Sequence, residues 1–359
     1  MDIDNATKSR RSSLITAIRG LVAISVVLHH ASGLFESQHY WHVKLFDGIL
    51  DFPYGRVEFF FVASGIAIAM NHFGDIGNRH RLPTFIRKRI ASIYPLYLLI
   101  GGFVLLIGLL PGGFRVGNYP DIDTIVGSAL LTGFNSHHTV LTVAWTLYHE
   151  MLFYILFAIA IAHRHAGYIV TCGAVVLALI PLVGGRVDVL PDYVLSPLNL
   201  LFLFGVIVGA YAGHARPATA RLLIVMPLGI LLWSVVAAQG VDGAEVQVLV
   251  GFGWATALAA MLYAERRGAI EVPACLLRLG DASYALYLLH FPALALMGKV
   301  ASATGWRNLW PAESEFAIMI AVIVAAALIV HQAIERPLRR WVSASLTRLA
   351  PPQAPRVAA

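Results

Sequence analysis

The sequence predicts an all-α polytopic membrane protein, about ten transmembrane helices in one bundle with both termini cytoplasmic. Four observations carry that expectation. Of 359 residues, 58% are apolar and 13% charged, against roughly 25% charged in a soluble domain. A mean hydropathy of +0.73 leaves no polar coat for a water-facing globule. Apolar runs recur at the length a hydrocarbon core demands, roughly 20 residues for about 30 Å. The basic residues then fall in alternate loops between those runs, as the positive-inside rule requires.

Taken in order, the first run covers 14–35. It follows Lys8, Arg10 and Arg11, has no small-residue cleavage site, and carries Arg19, His29 and His30. It therefore reads as a retained span and not as a signal peptide. Further runs cover 54–73, 90–110, 142–162, 167–184, 196–213, 221–239, 246–264, 283–301 and 315–334. The segment 121–134 is too short and too polar to span, and reads as a re-entrant or interfacial helix. It lies in the longest outer loop, 111–141, and loops of that length are often functional. Residues 1–13 form a cytoplasmic N-terminal segment, 14–341 the transmembrane domain, and 342–359 a cytoplasmic tail that frays.

With the N-terminus inside, ten spans place 20 of the 26 Lys and Arg on the cytoplasmic side. Only Lys44, Arg56, Arg115, Arg186, Lys299 and Arg307 fall outside. Topology thus accounts for the net charge of +6 with no nucleic-acid partner. The two cysteines, Cys172 and Cys275, give neither a disulfide framework nor metal-ligand spacing.

Ionisable groups inside spans are costly and point to function by default. Four places hold them. On the first helix, Arg19 and His30 are 11 residues apart, three turns plus about 20°, with a rise of roughly 16 Å. They share a face with Ala23 and Val26, while His29 points about 80° away. A snorkelling Arg19 and a satisfied core histidine are the plain alternative. On the second helix, Glu58 lies among phenylalanines and needs a partner, whereas Ala63, Ser64 and Gly65 suit close helix packing. At the start of the third, Arg87, Lys88 and Arg89 suit either a phosphorylated ligand or an orientation signal and anionic-lipid anchor. On the fourth, Trp145 and Tyr148 suit an aromatic belt, but the adjoining His149-Glu150 pair does not. His30, Glu58 and Glu150 thus fall at similar depth in the outer half, with the cations at the inner end. Histidine supported by a carboxylate is suited to general base work near neutral pH.

These stretches resemble the membrane-bound acyltransferase family 3, the O-acyltransferases of bacterial surface sugars. Arg19 and His30 match its Arg, ten residues, His spacing. Val57-Glu58-Phe59-Phe60-Phe61-Val62-Ala63-Ser64-Gly65 resembles its second helix, and Phe85-Ile86-Arg87-Lys88-Arg89 through Tyr94-Pro95-Leu96-Tyr97 its third. Trp145-Thr146-Leu147, Glu150 and Phe153-Tyr154 match its fourth-helix signature. Leu279-Gly280-Asp281-Ala282-Ser283-Tyr284 through His290 looks like its ninth helix, and Glu335-Arg336-Pro337 its closing motif. The likeness runs from about 14 to 341 and is greatest to the exopolysaccharide-production acetyltransferases. It departs where many members carry a second arginine three residues after Arg89; Ser92 stands there. No second-stage hydrolase-like domain is expected in cis.

The resemblance implies an acyltransferase moving an acyl group, acetyl above all, from cytosolic acyl-CoA to a hydroxyl of a cell-surface or lipid-linked carbohydrate in the bacterial inner membrane. Acetyl-CoA enters as co-substrate, with no tightly bound cofactor and no metal. His30 is the expected base or transient acyl carrier, with Glu150 or Glu58 orienting it and Arg19 contacting CoA or developing charge. Arg87, Lys88 and Arg89 are expected to bind the CoA phosphates, and Trp145, His149 and Tyr154 to line the substrate site. Asp281 is expected to cap the ninth helix and His290 to hydrogen-bond across helices. The alternatives are a proton-coupled transporter of a small molecule, which an internal repeat would favour and none is visible, and a non-catalytic membrane scaffold.

Overall fold

A computed structural model describes residues 12–51, 54–110, 113, 116–119, 121–133, 137–185, 187–211, 243–268 and 270–348. Thirteen α-helices follow in order among these residues. They are α1 (Ser13–Glu36), α2 (Arg56–His72), α3 (Leu82–Leu109), α4 (Ile122–Leu130), α5 (Trp145–Ala162), α6 (Arg164–Leu179), α7 (Asp192–Leu195), α8 (Asn199–Tyr211), α9 (Ala244–Arg266), α10 (Ala274–Asp281), α11 (Ser283–Thr304), α12 (Ala312–Val330) and α13 (Arg336–Arg348). A π-helical segment, His331–Glu335, joins the last two.

The fold is all-α, as the sequence predicts. Eight helical stretches among the described residues are long and apolar enough to cross a membrane, and the chain is a multi-pass membrane protein. The run expected at 196–213 is represented by α8, described from Asn199 to Tyr211. The run expected at 221–239 lies outside the described residues. The weak segment 121–134 contains α4, nine residues long, too short to span. Asp121 caps it, accepting from Thr124 N–H at 2.7 Å. That hydrogen bond holds the exposed Asp121 carboxyl below the ordinary carboxylate range.

The start of α1 is fixed twice. Ser12 accepts from Ile15 N–H at 3.0 Å, the usual N-cap bond. Glu265, in the last turn of α9, accepts from Ser13 N–H at 2.6 Å, from Leu14 N–H at 3.1 Å and from the Ser12 hydroxyl. A carboxylate at the positive end of a helix dipole satisfies donors that have no partner within the helix.

Glycines allow two close crossings. A Cβ at Gly65 of α2 would sit 2.2 Å from the Phe202 carbonyl oxygen, and one at Gly205 of α8 only 2.1 Å from that of Val62. A Cβ at Gly280 of α10 would meet the Thr16 carbonyl oxygen of α1 at 1.9 Å. Small residues allow this backbone approach where no hydrophobic effect drives helices together. The second crossing also revises the expected start of the ninth span. Asp281 falls in the last turn of α10, and the N-cap position of α11 belongs to Ala282.

Candidate active site

A cavity of about 540 Å³ runs between α1, α2, α3, α5, α11 and the π segment, within the size range of small-molecule sites. Its basic end is walled by Arg19, Arg89, Arg336 and Arg339, with Asp281, His331 and Glu335 among them. Its other end is walled by His29, His30, Arg56 and Phe60, and Ser64, Trp145, Glu150, Tyr154, Tyr284 and Tyr287 lie along it.

Helix α1 spans the length of the site. Arg19 and His30 both face the cavity, as the 11-residue spacing predicts. His29 faces it too, which the helical wheel did not anticipate. The His29 ring packs 5.4 Å from that of His30, and its Nδ1 lies 2.9 Å from the Leu50 carbonyl oxygen. That carbonyl belongs to a short strap, Phe46–Asp51, which returns across the helix end. Arg56 donates to the same Leu50 oxygen at 3.1 Å and to the Ser25 carbonyl oxygen at 3.1 Å.

The expected carboxylate support of His30 takes another form. Glu58 is buried, and its carboxylate accepts from Gly55 N–H at 2.8 Å, closing the first turn of its own helix. Glu150 lines the cavity, accepting from the Ser64 hydroxyl at 3.3 Å and from the Tyr154 hydroxyl one turn on. Among the described residues neither carboxylate hydrogen-bonds to His30. The residue that does is His290 of α11: its Nε2 lies 3.0 Å from His30 Nδ1. His290 is fully buried, and the two ring planes differ by 26° with centroids 5.1 Å apart, as an edge-to-edge bond between them requires. The sequence signal for this pair was a histidine in the middle of an apolar run, which shows neither which helix it faces nor at what depth.

The basic cluster on α3 divides. Arg89 reaches the cavity, its guanidinium 5.4 Å from the Tyr154 ring centroid and 5.7 Å from that of Phe85, within cation–π range. Its Nε is buried without a hydrogen-bond partner among the described residues. Arg87 donates to the Thr84 hydroxyl at 3.3 Å, and neither it nor the exposed Lys88 is on the cavity wall. Consecutive helical residues diverge by about 100°, so three cations in a row cannot share one face. The arginines that join Arg89 come instead from α1 and α13.

Trp145 and Tyr154 line the cavity as expected, but His149 does not. It is buried, stacked on Phe61 with centroids 5.4 Å apart, and its Nδ1 lies 3.3 Å from the Trp145 carbonyl oxygen. The wall opposite is held by Tyr284, which donates to the Ile93 carbonyl oxygen at 2.9 Å, and by Tyr287, 2.8 Å from the Thr146 hydroxyl. The π segment contributes a further buried pair, His331 Nδ1 and Glu335 Oε2, at 2.7 Å. Single π turns inside helices occur frequently at functional sites. No group of metal-ligating side chains occurs among the described residues.

A cavity with a histidine pair at one end and arginines at the other, on helices that carry the motifs quoted above, agrees with a family model described as an acyltransferase domain, which matches residues 14–331. The chain belongs to that acyltransferase family. It is similar to the exopolysaccharide production protein ExoZ of Rhizobium meliloti (strain 1021), 29% identical over 299 residues that cover 79% of this chain and 89% of that protein. It is also similar to the acyltransferase MdmB of Streptomyces mycarofaciens, 28% identical over 334 residues that cover 79% of this chain and 80% of that one. No solved structure matches the chain. The protein is accordingly an acyl-transferring enzyme of the membrane, and the resemblance read from its motifs holds.

Proposed function

We propose that this acyltransferase moves an acetyl group from cytosolic acetyl-CoA, or a related acyl-CoA, to a hydroxyl of a cell-surface or lipid-linked carbohydrate, in the bacterial inner membrane. The observation that carries this reading is a single cavity with His30 at one end and Arg19, Arg89, Arg336 and Arg339 at the other. Arginine clusters suit phosphate-rich ligands, because the guanidinium fork matches phosphate oxygens. The positive-inside rule places those arginines toward the cytosol, where acyl-CoA is found. Three turns of α1 then separate the phosphate-binding end from His30, leaving the acyl arm to extend along the cavity.

His30 removes the proton from the acceptor hydroxyl as that oxygen attacks the thioester carbonyl. The new C–O bond forms, the C–S bond breaks, and the proton passes from His30 to the leaving thiolate. Tyr154, Glu150 and Trp145 line the path and shape it. The carbohydrate acceptor is supported by the similarity to ExoZ, whose name assigns it to exopolysaccharide production.

Mass spectrometry of surface glycans from cells with and without the gene tests the reading and identifies acyl group and acceptor together. Loss of an acyl mass on deletion is expected. Unchanged glycans would refute the carbohydrate acceptor.

A further inference from the structure

We infer that His290 is a positioning residue that fixes the tautomer of His30 through a relay anchored on the backbone carbonyl of Leu286, so that His30 presents an unprotonated Nε2 to the cavity. The inference rests on the proposed role of His30 as base and specifies which nitrogen performs it.

The argument begins at the buried end. His290 Nδ1 lies 3.2 Å from the Leu286 carbonyl oxygen. A carbonyl oxygen only accepts, so that nitrogen carries a hydrogen and donates. No carboxylate hydrogen-bonds to His290 among the described residues, and a fully buried imidazolium without such a partner is too costly to hold. The ring is therefore neutral, and its Nε2 has a lone pair. That lone pair faces His30 Nδ1 at 3.0 Å, so Nδ1 of His30 must supply the hydrogen. A neutral His30 with its hydrogen on Nδ1 has its remaining lone pair on Nε2. No hydrogen bond engages His30 Nε2 among the described residues, and the ring lies on the cavity wall.

A backbone oxygen thus sets the state of the base two rings away. The aspartate that usually orients a catalytic histidine fixes the tautomer and also stabilises the imidazolium that forms. A neutral histidine supplies the first effect without a second buried charge. Glu58 and Glu150 are then free for the contacts they make with Gly55, Ser64 and Tyr154.

The test is magnetic resonance of full-length protein labelled with ¹³C,¹⁵N-histidine in lipid nanodiscs, with the His30 signals assigned by their loss in His30→Ala. The inference expects His30 in the wild type to carry its proton on Nδ1. His290→Gln, whose amide oxygen still accepts, is expected to keep that tautomer. His290→Leu is expected to move the proton to Nε2 and to lower kcat by up to roughly 10²–10⁴-fold, the range a positioned base contributes, with KM for acyl-CoA little changed. A wild-type His30 protonated on Nε2 overturns the inference, as does a His290→Leu spectrum with the tautomer unaltered. Should His290→Leu not fold, the wild-type and His290→Gln spectra decide alone. The tautomer readouts are independent of turnover. Full activity in His30→Ala would defeat the proposed role of the base, whereas a wrong tautomer would defeat only the relay.

Discussion

Replacing Gly65 with alanine tests whether the crossing of α2 and α8 sets the shape of the cavity. The new Cβ would lie 2.2 Å from the Phe202 carbonyl oxygen, 2.9 Å from Gly205 Cα and 2.9 Å from Val206 N, where ordinary contact begins at 3.4 Å. All three atoms are backbone, so no side chain can rotate away and the helices must part by about 1.2 Å. Overpacking of this kind costs about 1–3 kcal/mol. The displacement also reaches the site, because Ser64 is adjacent and its hydrogen bond to Glu150 is already 3.3 Å long. A misplacement of about 1 Å can cost roughly 10²-fold in rate. Gly102 of α3 is the control, since an added Cβ there meets nothing within 4 Å. Thermal unfolding in detergent and acyl transfer in proteoliposomes should both fall for Gly65→Ala and hold for Gly102→Ala. Equal behaviour of the two variants would refute the claim that this crossing sets the site.

Arg89→Ala combined with Arg336→Ala should raise KM for acyl-CoA by at least roughly tenfold, since a charge-assisted bond to phosphate is worth about 1.5–3 kcal/mol. Arg87→Ala should leave KM close to wild type; steady-state kinetics over a range of acyl-CoA concentrations separates the two. Ser12→Ala and Glu265→Ala should each lower stability by about 1 kcal/mol in detergent unfolding, because both strip partners from the first N–H groups of α1. Together they should cost less than the sum, since the Ser12 hydroxyl and Glu265 are bonded to each other.

Much of the fold was legible because lipid imposes a simple rule on length and polarity. Apolar runs marked α1, α2, α3, α5, α6, α9, α11 and α12, and their polar interruptions marked the cavity. Spacing along one helix was equally readable, as Arg19 and His30 show. Partnership between helices was not. Glu58 among phenylalanines invited a role at His30, but the nearest donor was the backbone N–H three residues before it. Arg87 and Lys88 were grouped with Arg89 by sequence adjacency, whereas helical rotation separates them. Arg336 and Arg339 lie some 250 residues away in the chain and reach the same chamber. His290 was expected to hydrogen-bond across helices, as it does, but no local pattern tells which ring it meets. The strap at 46–51, with Phe46 and Asp47 both at positive φ (51° and 50°), has no hydropathy signal at all.

The most direct test of the account is acyl transfer from labelled acyl-CoA by purified His30→Gln protein in proteoliposomes, with glycan-bearing membranes supplied as acceptor. Removing the base should lower kcat/KM by at least about 10²-fold while the protein inserts and melts as wild type does. Transfer within about twofold of wild type would show that the cavity works without His30 and would contradict the mechanism.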